Sequence, residues 1–481
     1  MKDRNLKRAS ISGLVYRFLE RILAQLVSTI VTIVLARLLL PEEYGIISLI
    51  TILITLCNVL VSDGLSSALI QKRDADELDY STICWASVGL SAMLVVGLFF
   101  AAPAISRFYN EPQLTAVLRV MALRIPLAAF NSVQGAYVSK NFLFRKFFYS
   151  TLIGTVTSGF VGIIMAYHGF GVWSLVAQYL TNSFMDTGFL FLNIDWKPKW
   201  QFSLSRFKEM FAFGLNVLVS GLLNEVYEEL RSLIIAKQYT TADLSFYSKG
   251  KQFPQLIGNN VTATITQVLF PVFSTQQDDV DNLKKMLRRS LRVGSYVLCP
   301  MMFGFIAISD TFVRLVLTDK WIQSVPYIQV FCIMYIFKPL RNINRCAMKA
   351  VGRSDIDLKI NMGEKVLGIA LIFGFLSSGP YALAVSACVT YVVVALVYMF
   401  YTSKLLDYSM LKQISDILPE CILAIVACLP SHFMNYLDFN LFSKFFAQII
   451  VAVCLYVVFS IVFKVDSFKY IVSTVKGFSK G

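Results

Sequence analysis

Stretches of about 20 mostly apolar residues recur along the whole chain, with only short polar punctuation between them. A helix needs roughly that many residues to cross the hydrocarbon core of a bilayer, whereas a spanning strand needs only about 10. In hydrocarbon the backbone must satisfy its own hydrogen bonds, so windows of this length read as helices. They run over 12–39, 44–69, 81–104, 113–139, 147–168, 171–193, 207–236, 242–270, 289–309, 322–348, 356–377, 380–403, 415–434 and 442–463. With 56% hydrophobic and 15% charged residues, the balance lies outside that of soluble domains. The sequence predicts an all-α polytopic membrane protein of about 14 transmembrane helices.

The opening "MKDRNLKRAS" is basic, but the apolar run behind it is too long for a signal peptide and no small-residue cleavage pattern follows, so it reads as a cytoplasmic tail of the first span. The nine cysteines lie nearly all inside apolar windows without a CxxC pair, which argues against a disulfide framework or a zinc site. The longest polar stretch, "STQQDDVDNLKKMLRRSLR" at 274–292, reads as a short amphipathic link, and no soluble domain fits between the spans.

Basic residues decide the orientation, because Lys and Arg are retained on the cytoplasmic side. Placing the N-terminus inside puts 27 of the 44 on cytoplasmic segments and six, including Arg37, Arg107 and Lys237, on the opposite side. Both termini are therefore expected in the cytoplasm. The formal charge of +14 becomes a topology signal and an attraction to anionic lipid headgroups, so nucleic acid is not an expected partner.

Ala36, Arg37, Glu43 and Ser48 reappear 200 residues later as Ala236, Lys237, Asp243 and Ser248. A second echo joins "RIPL" at 124–127 to "FKPL" at 337–340, where Pro126 and Pro339 each interrupt a span behind a basic residue. Six spans separate the copies, so both halves share one orientation, a parallel repeat of the kind transporters use to rock about a shared cavity. The expected division is a six-helix lobe in 1–200, a second in 201–405, and two further helices in 406–481.

A charge at mid-bilayer costs about 2.5–3.5 kcal/mol on insertion scales, so such residues face a cavity or a partner. The fourth span carries Arg124, with Asn131 two turns on and Gln134 beside it. The seventh carries "NEVYEELR", placing Asn224, Glu228 and Arg231 on one face with Glu225 adjoining. The tenth places Lys338, Arg341 and Arg345 on one stripe with Asn342. Lys249 and Lys251 with Gln252 in the eighth, Glu364 and Lys365 in the eleventh, and Arg17, Glu20 and Arg21 in the first complete the set. Two readings fit: structural ion pairs, such as Glu228 with Arg231, or a mainly cationic cavity suited to an anionic pyrophosphate or acidic sugar. On the second, Arg124, Asn131, Arg231, Lys249, Lys251, Lys338, Arg341, Arg345 and Lys365 are the cavity candidates, and Glu225, Glu228 and Glu364 the ion-coupling candidates.

The chain has no GxxxxGK[ST] phosphate loop, GxSxG elbow or HExxH pair. It also lacks an external loop large enough to assemble a membrane transferase, so an enzyme is not expected and no cofactor is implied. Transport would draw on substrate supply or on coupling to a proton or sodium gradient.

"LARLLLPEEYGIISLI", "GLSSALIQKRDADELDYSTICW" and "LIIAKQYTTADLSFYSKGKQFPQLIGNNVTATITQVLFPVFSTQQDD" together resemble the polysaccharide transporter branch of the MOP flippase superfamily, the Wzx-type exporters similar to colanic acid and teichuronic acid transporters. The resemblance runs from about residue 10 to about 400. It departs from the family where a Gly-rich turn is replaced by Thr240, Thr241, Leu244 and Ser245, and where an acidic residue of the seventh span appears as the cluster Glu225, Glu228 and Glu229. It implies a bacterial inner-membrane protein that moves an undecaprenyl-pyrophosphate-linked oligosaccharide to the periplasmic leaflet for capsule, exopolysaccharide or O-antigen assembly, alongside polymerase and assembly proteins. The competing expectation is a drug or organic-cation antiporter of the same superfamily. That would call for an acidic cavity, and the excess of intramembrane cations counts against it.

Overall fold

The computed structural model describes residues 23–276 and 279–478, and those residues form helices joined by short turns, with no strand among them. The expected residues 12–22 of the first span, with Arg17, Glu20 and Arg21, lie outside the described residues. The helices are α1 (Leu23–Leu38), α2 (Pro41–Gln71), α3 (Glu77–Tyr109), α4 (Leu114–Lys140), α5 (Phe144–Tyr167), α6 (Val172–Asn193), α7 (Leu204–Gln238), α8 (Thr241–Ser274) and α9 (Val280–Leu317). They continue with α10 (Val325–Ile336), α11 (Lys338–Ala350), α12 (Ser354–Phe375), α13 (Pro380–Leu405), α14 (Met410–Tyr436), α15 (Leu441–Val462) and α16 (Asp466–Phe478). Ten are long and apolar enough to cross a membrane. The other expected windows are helical too, but α6 is rich in Ser, Thr, Asn and Gln, the tenth is split and cationic, and α12 carries Asp355, Asp357, Lys359, Glu364 and Lys365.

Helix ends follow local chemistry. Pro41 opens α2, where its missing N–H costs nothing, and the Glu43 carboxylate accepts the Leu40 N–H at 2.8 Å. Asp76, Ser203, Asp279, Ser409 and Asn440 accept backbone N–H groups at the starts of α3, α7, α9, α14 and α15. The Asp279 cap changes the expected link at 274–292: most of it becomes the first turns of α9, which bury Leu283, Leu287 and Leu291 along one face.

Two spans are interrupted where a proline denies the ladder a donor. In α4 the helix turns at Ala122–Leu123 and restarts at Arg124, two residues before Pro126. In the tenth span α10 ends at Ile336 and α11 restarts at Lys338, next to Pro339. The proline ring also clashes with the preceding turn, so each break falls on its N-terminal side. Each restart delivers a basic residue at a helix start, Arg124 half-buried and Lys338 buried.

The chain divides into two compact units, Met1–Ser245 and Phe246–Gly481. In the first, Tyr80, Ile83, Val133, Leu190 and Trp196 form a core joining α2, α3, α4 and α6. A methyl group at Gly64 would sit 2.6 Å from the Gly214 carbonyl oxygen, so only glycine lets α2 and α7 approach this closely. In the second, α9 packs against α14, with Tyr296, Cys299, Leu423, Ala427 and Tyr456 buried together, and α16 folds Phe468 and Ile471 onto that cluster.

Candidate functional site

In the first unit the site grows from the restart of α4. Arg124 donates through Nε to Ser183 Oγ at 2.9 Å, and its guanidinium carbon lies 5.0 Å from the centre of the Tyr179 ring. Both partners are on α6. One turn along α6, Asp186 Oδ2 accepts from Asn131 Nδ2 at 3.2 Å, and Ser150 of α5 donates to the same carboxylate. Gln134, fully buried, donates to the Thr187 carbonyl at 3.3 Å. The polar stripe read from α4 is therefore met by a matching stripe on α6, Tyr179, Ser183 and Asp186 at spacings of four and three, with Thr187 next to Asp186 and four residues from Ser183. Two separate polar contacts result, a cation held by a hydroxyl and a ring, and a carboxylate held by an amide and a hydroxyl.

On α7 the face anticipated from "NEVYEELR" has mixed surroundings. Arg231 is buried, 5.9 Å from the Tyr227 ring, Glu225 is half-buried, and Glu228 and Asn224 are exposed.

In the second unit α11 carries three cations from one stripe to three different partners. Lys338 is buried, donates to Asn259 Oδ1 of α8, and lies 4.7 Å from the Tyr335 ring. Arg341 pairs with Glu364 of α12 at 2.7 Å and stands 4.6 Å over the Tyr391 ring, both charged side chains being nearly sealed from the surface. Arg345 makes a two-point contact with Asp357 at 2.7 and 3.1 Å. The Tyr398 hydroxyl donates to the same carboxylate at 2.6 Å, and Lys349 approaches it at 3.2 Å. Arg345 is thus tied into a tight ionic network rather than reaching alone for the headgroup region. On α8, buried Lys249 donates to Gln252 Oε1 at 3.3 Å and lies 5.8 Å from the Trp321 ring, while Lys251 is half-buried. Lys365 is half-buried next to Glu364.

Asp186, Ser183, Asn259, Asp357 and Tyr398 are the partners that reading the sequence missed. One signal was available: Asp186 is the only charged residue of α6.

The apolar helices, with several of their charges paired or buried within each helical unit, define a multi-pass membrane protein. A family of polysaccharide biosynthesis proteins matches residues 34–326, and the chain belongs to it. The chain is 26% identical over 293 residues to the succinoglycan biosynthesis transport protein ExoT of Rhizobium meliloti (strain 1021), a match covering 61% of this chain and 59% of ExoT. It is 25% identical over 380 residues to the lipopolysaccharide biosynthesis protein WzxC of Escherichia coli (strain K12), covering 77% of this chain and 76% of WzxC. Among solved structures, the lipid II flippase MurJ in an inward closed conformation superposes with a TM-score of 0.76 at 15% identity, over 94% of this chain and 98% of that one, a likeness of fold. The motifs that resemble Wzx-type exporters thus belong to a true member of the polysaccharide biosynthesis family.

Proposed function

We propose that the protein is a flippase for lipid-linked oligosaccharides, carrying undecaprenyl-pyrophosphate-linked repeat units from the cytoplasmic to the periplasmic leaflet of a bacterial cytoplasmic membrane by alternating access. The observation that carries this reading is the set of cations held within the spans, Arg124, Arg231, Lys249 and Lys338, in a chain of the polysaccharide biosynthesis family. A pyrophosphate crossing the bilayer needs such charges, because a dianion in hydrocarbon is costly unless fixed cations replace its water. The name of the MurJ structure, a lipid II flippase, and those of ExoT and WzxC, a transport and a lipopolysaccharide biosynthesis protein, point the same way.

In this reading each of the lobes expected at 1–200 and 201–405 contributes polar residues to the substrate's path, and the helices in 406–481 extend the lipid-facing surface. Both ends of the chain lie in the cytoplasm, as the distribution of Lys and Arg favours. Asn131, Lys251, Arg345 and Lys365 belong to the cavity's polar lining or its support, and Glu225, Glu228 or Glu364 couples transport to a proton or sodium gradient. The protein performs no covalent chemistry and works alongside a polymerase. In cells lacking the protein, undecaprenyl-linked repeat units should accumulate on the cytoplasmic face; normal periplasmic display in a strain without a second exporter rejects the proposal.

A further inference from the structure

The second unit contains a groove on the lipid-facing helices of 406–481 to which the transport reading assigns no occupant. It is bounded by the start of α9, by α14, and by α16, which folds back after α15. One part, 560 Å³, is walled by apolar side chains of α14 and of the end of α15, among them Ile422 and Val426, with Phe463 just past α15, all three exposed. An adjoining part of 340 Å³ is lined by Lys285, Arg288, Arg289 and Arg292 together with Tyr470, and Arg292 and Asp466 border both.

The four basic residues fall at i, i+3, i+4 and i+7, so they share one face of α9. Arg288 and Arg292 both bond the buried Asp416, Arg288 through two contacts of 2.6 Å, and the Tyr408 hydroxyl donates to the same carboxylate at 2.7 Å. Two guanidiniums therefore share one buried acid, with the exposed Asp466 3.8 Å from Arg292. Among the described residues neither Lys285 nor Arg289 forms an ion pair; Arg289 stacks on the Tyr470 ring at 3.3 Å, which holds it at the groove edge. Arg292 Nε is shut off from solvent and has no hydrogen-bond partner among the described residues.

Depth decides which anion fits. The 38 residues of α9 extend about 57 Å at 1.5 Å per residue, far more than the hydrocarbon thickness of about 30 Å. The apolar part begins at Val293, directly after the basic run, so Lys285–Arg292 lies at headgroup level and the Ile422–Val426 wall beside acyl chains. α16 is the kind of short amphipathic helix that rests in that boundary, with Phe468 and Ile471 turned into the protein and Lys469 exposed. A soluble anion would leave the apolar wall unused, and a neutral lipid would leave the cations unanswered.

We propose that this groove binds an anionic phospholipid of the adjacent leaflet, its phosphate against Lys285 and Arg289 and one acyl chain along Ile422, Val426 and Phe463. Arg288, Arg292 and Asp416 brace the site, and Ser467, donating to Glu420 at 2.9 Å, fastens α16 as its outer wall. The site does not depend on which glycan is carried.

The test uses the full chain in detergent, titrated with phosphatidylglycerol or phosphatidylcholine and read by native mass spectrometry. Phosphatidylglycerol should bind in preference. Lys285→Gln with Arg289→Gln should weaken it roughly 30-fold, as expected for about 1 kcal/mol per lost cation, and leave phosphatidylcholine unchanged. Arg289→Lys should retain most of the affinity, which separates lost charge from lost folding. Equal binding of the two lipids, or no loss in the double variant, overturns the proposal. So does glycerophosphoglycerol, which has no chains, binding as tightly as the lipid. Displacement of phosphatidylglycerol by an equimolar polyprenyl pyrophosphate also overturns it, since the groove would then belong to the transported lipid.

Discussion

Arg124 in the first unit and Arg341 in the second invite comparison. Each stands just beyond a proline-induced break in its span and each faces an aromatic ring, at 5.0 Å for Tyr179 and 4.6 Å for Tyr391. They differ in what completes the shell. Arg124 has a neutral hydroxyl, Ser183, whereas Arg341 has a carboxylate, Glu364. A hydroxyl fixes the direction of a guanidinium without cancelling its charge, while a buried carboxylate cancels most of it and locks the geometry. The first arrangement suits a cation that must meet an arriving anion; the second suits a cation that fastens two helices together.

The largest effect expected from this difference is on stability in the second unit. Glu364→Gln leaves Arg341 without its carboxylate in a nearly sealed position and should destabilise the protein by about 3 kcal/mol, seen as a lower thermal midpoint in detergent. Replacing Arg341 and Glu364 together by methionine should recover most of the loss. If Glu364→Gln melts like the native protein, the two arginines are not different in kind.

Arg124→Gln should behave in the opposite way. Its only polar contact among the described residues is a neutral hydroxyl, so stability should change by less than about 1 kcal/mol. Transport of a lipid-linked oligosaccharide into the outer leaflet of proteoliposomes should fall roughly tenfold, equivalent to about 1.4 kcal/mol of lost interaction with the anion. Unimpaired transport would remove Arg124 from the cavity. Ser183→Ala probes the same contact more gently: it should cost no more stability than Arg124→Gln, less than about 1 kcal/mol, with transport reduced less than by Arg124→Gln. A larger transport defect from Ser183→Ala than from Arg124→Gln would show that the hydroxyl, not the cation, meets the substrate.

These contrasts also mark what the sequence could and could not reveal. Apolar windows gave the helices, because window length and backbone pairing leave no other structure in hydrocarbon. Pro126 and Pro339 gave the two interruptions, because proline acts on its own preceding turn. Residues on one helix face, such as Arg124 with Asn131 or Lys338 with Arg341, follow from helical spacing alone. Which helix answers them does not. Asp186 and Asp357 are 55 and 12 residues from the side chains they bind, and nothing local in "SFMDTGF" or "SDIDLKI" says which neighbour will pack against them. The helix α16 went unread for a different reason: at 13 residues it is too short for a spanning window, and its amphipathic face becomes informative only when Phe468 and Ile471 find the cluster beneath them. The polar run at 274–292 was legible as amphipathic but not as part of α9, since its helix is fixed by the Asp279 cap and by tertiary burial of three leucines.

A third arginine, at the water-facing edge, gives the smallest effect and bounds the comparison from the other side. Arg206 is half-buried; it meets the exposed Asp76 at 2.6 Å just outside α3 and also reaches the buried Asp79 at 3.0 Å. Its bond to the carboxylate, helped by the Asp79 backbone N–H, holds Asp76 down to about 2 from its ordinary 3.8. A carboxylate depressed in the folded state stabilises the protein fully above its unfolded value and loses that contribution as pH falls through the folded one. The contribution should therefore be present above pH about 4 and fade toward pH 2, and exposure keeps it small. Asp76→Asn isolates it, because asparagine caps a helix as well as aspartate does and only the charge is lost. The native protein should melt slightly higher than Asp76→Asn at neutral pH, the gap should close near pH 2, and added salt should shrink it. A gap of the same size at pH 2 and pH 7 would mean that the substitution acts on the cap and that the exposed Asp76 charge adds nothing, in contrast to the buried partner of Arg341.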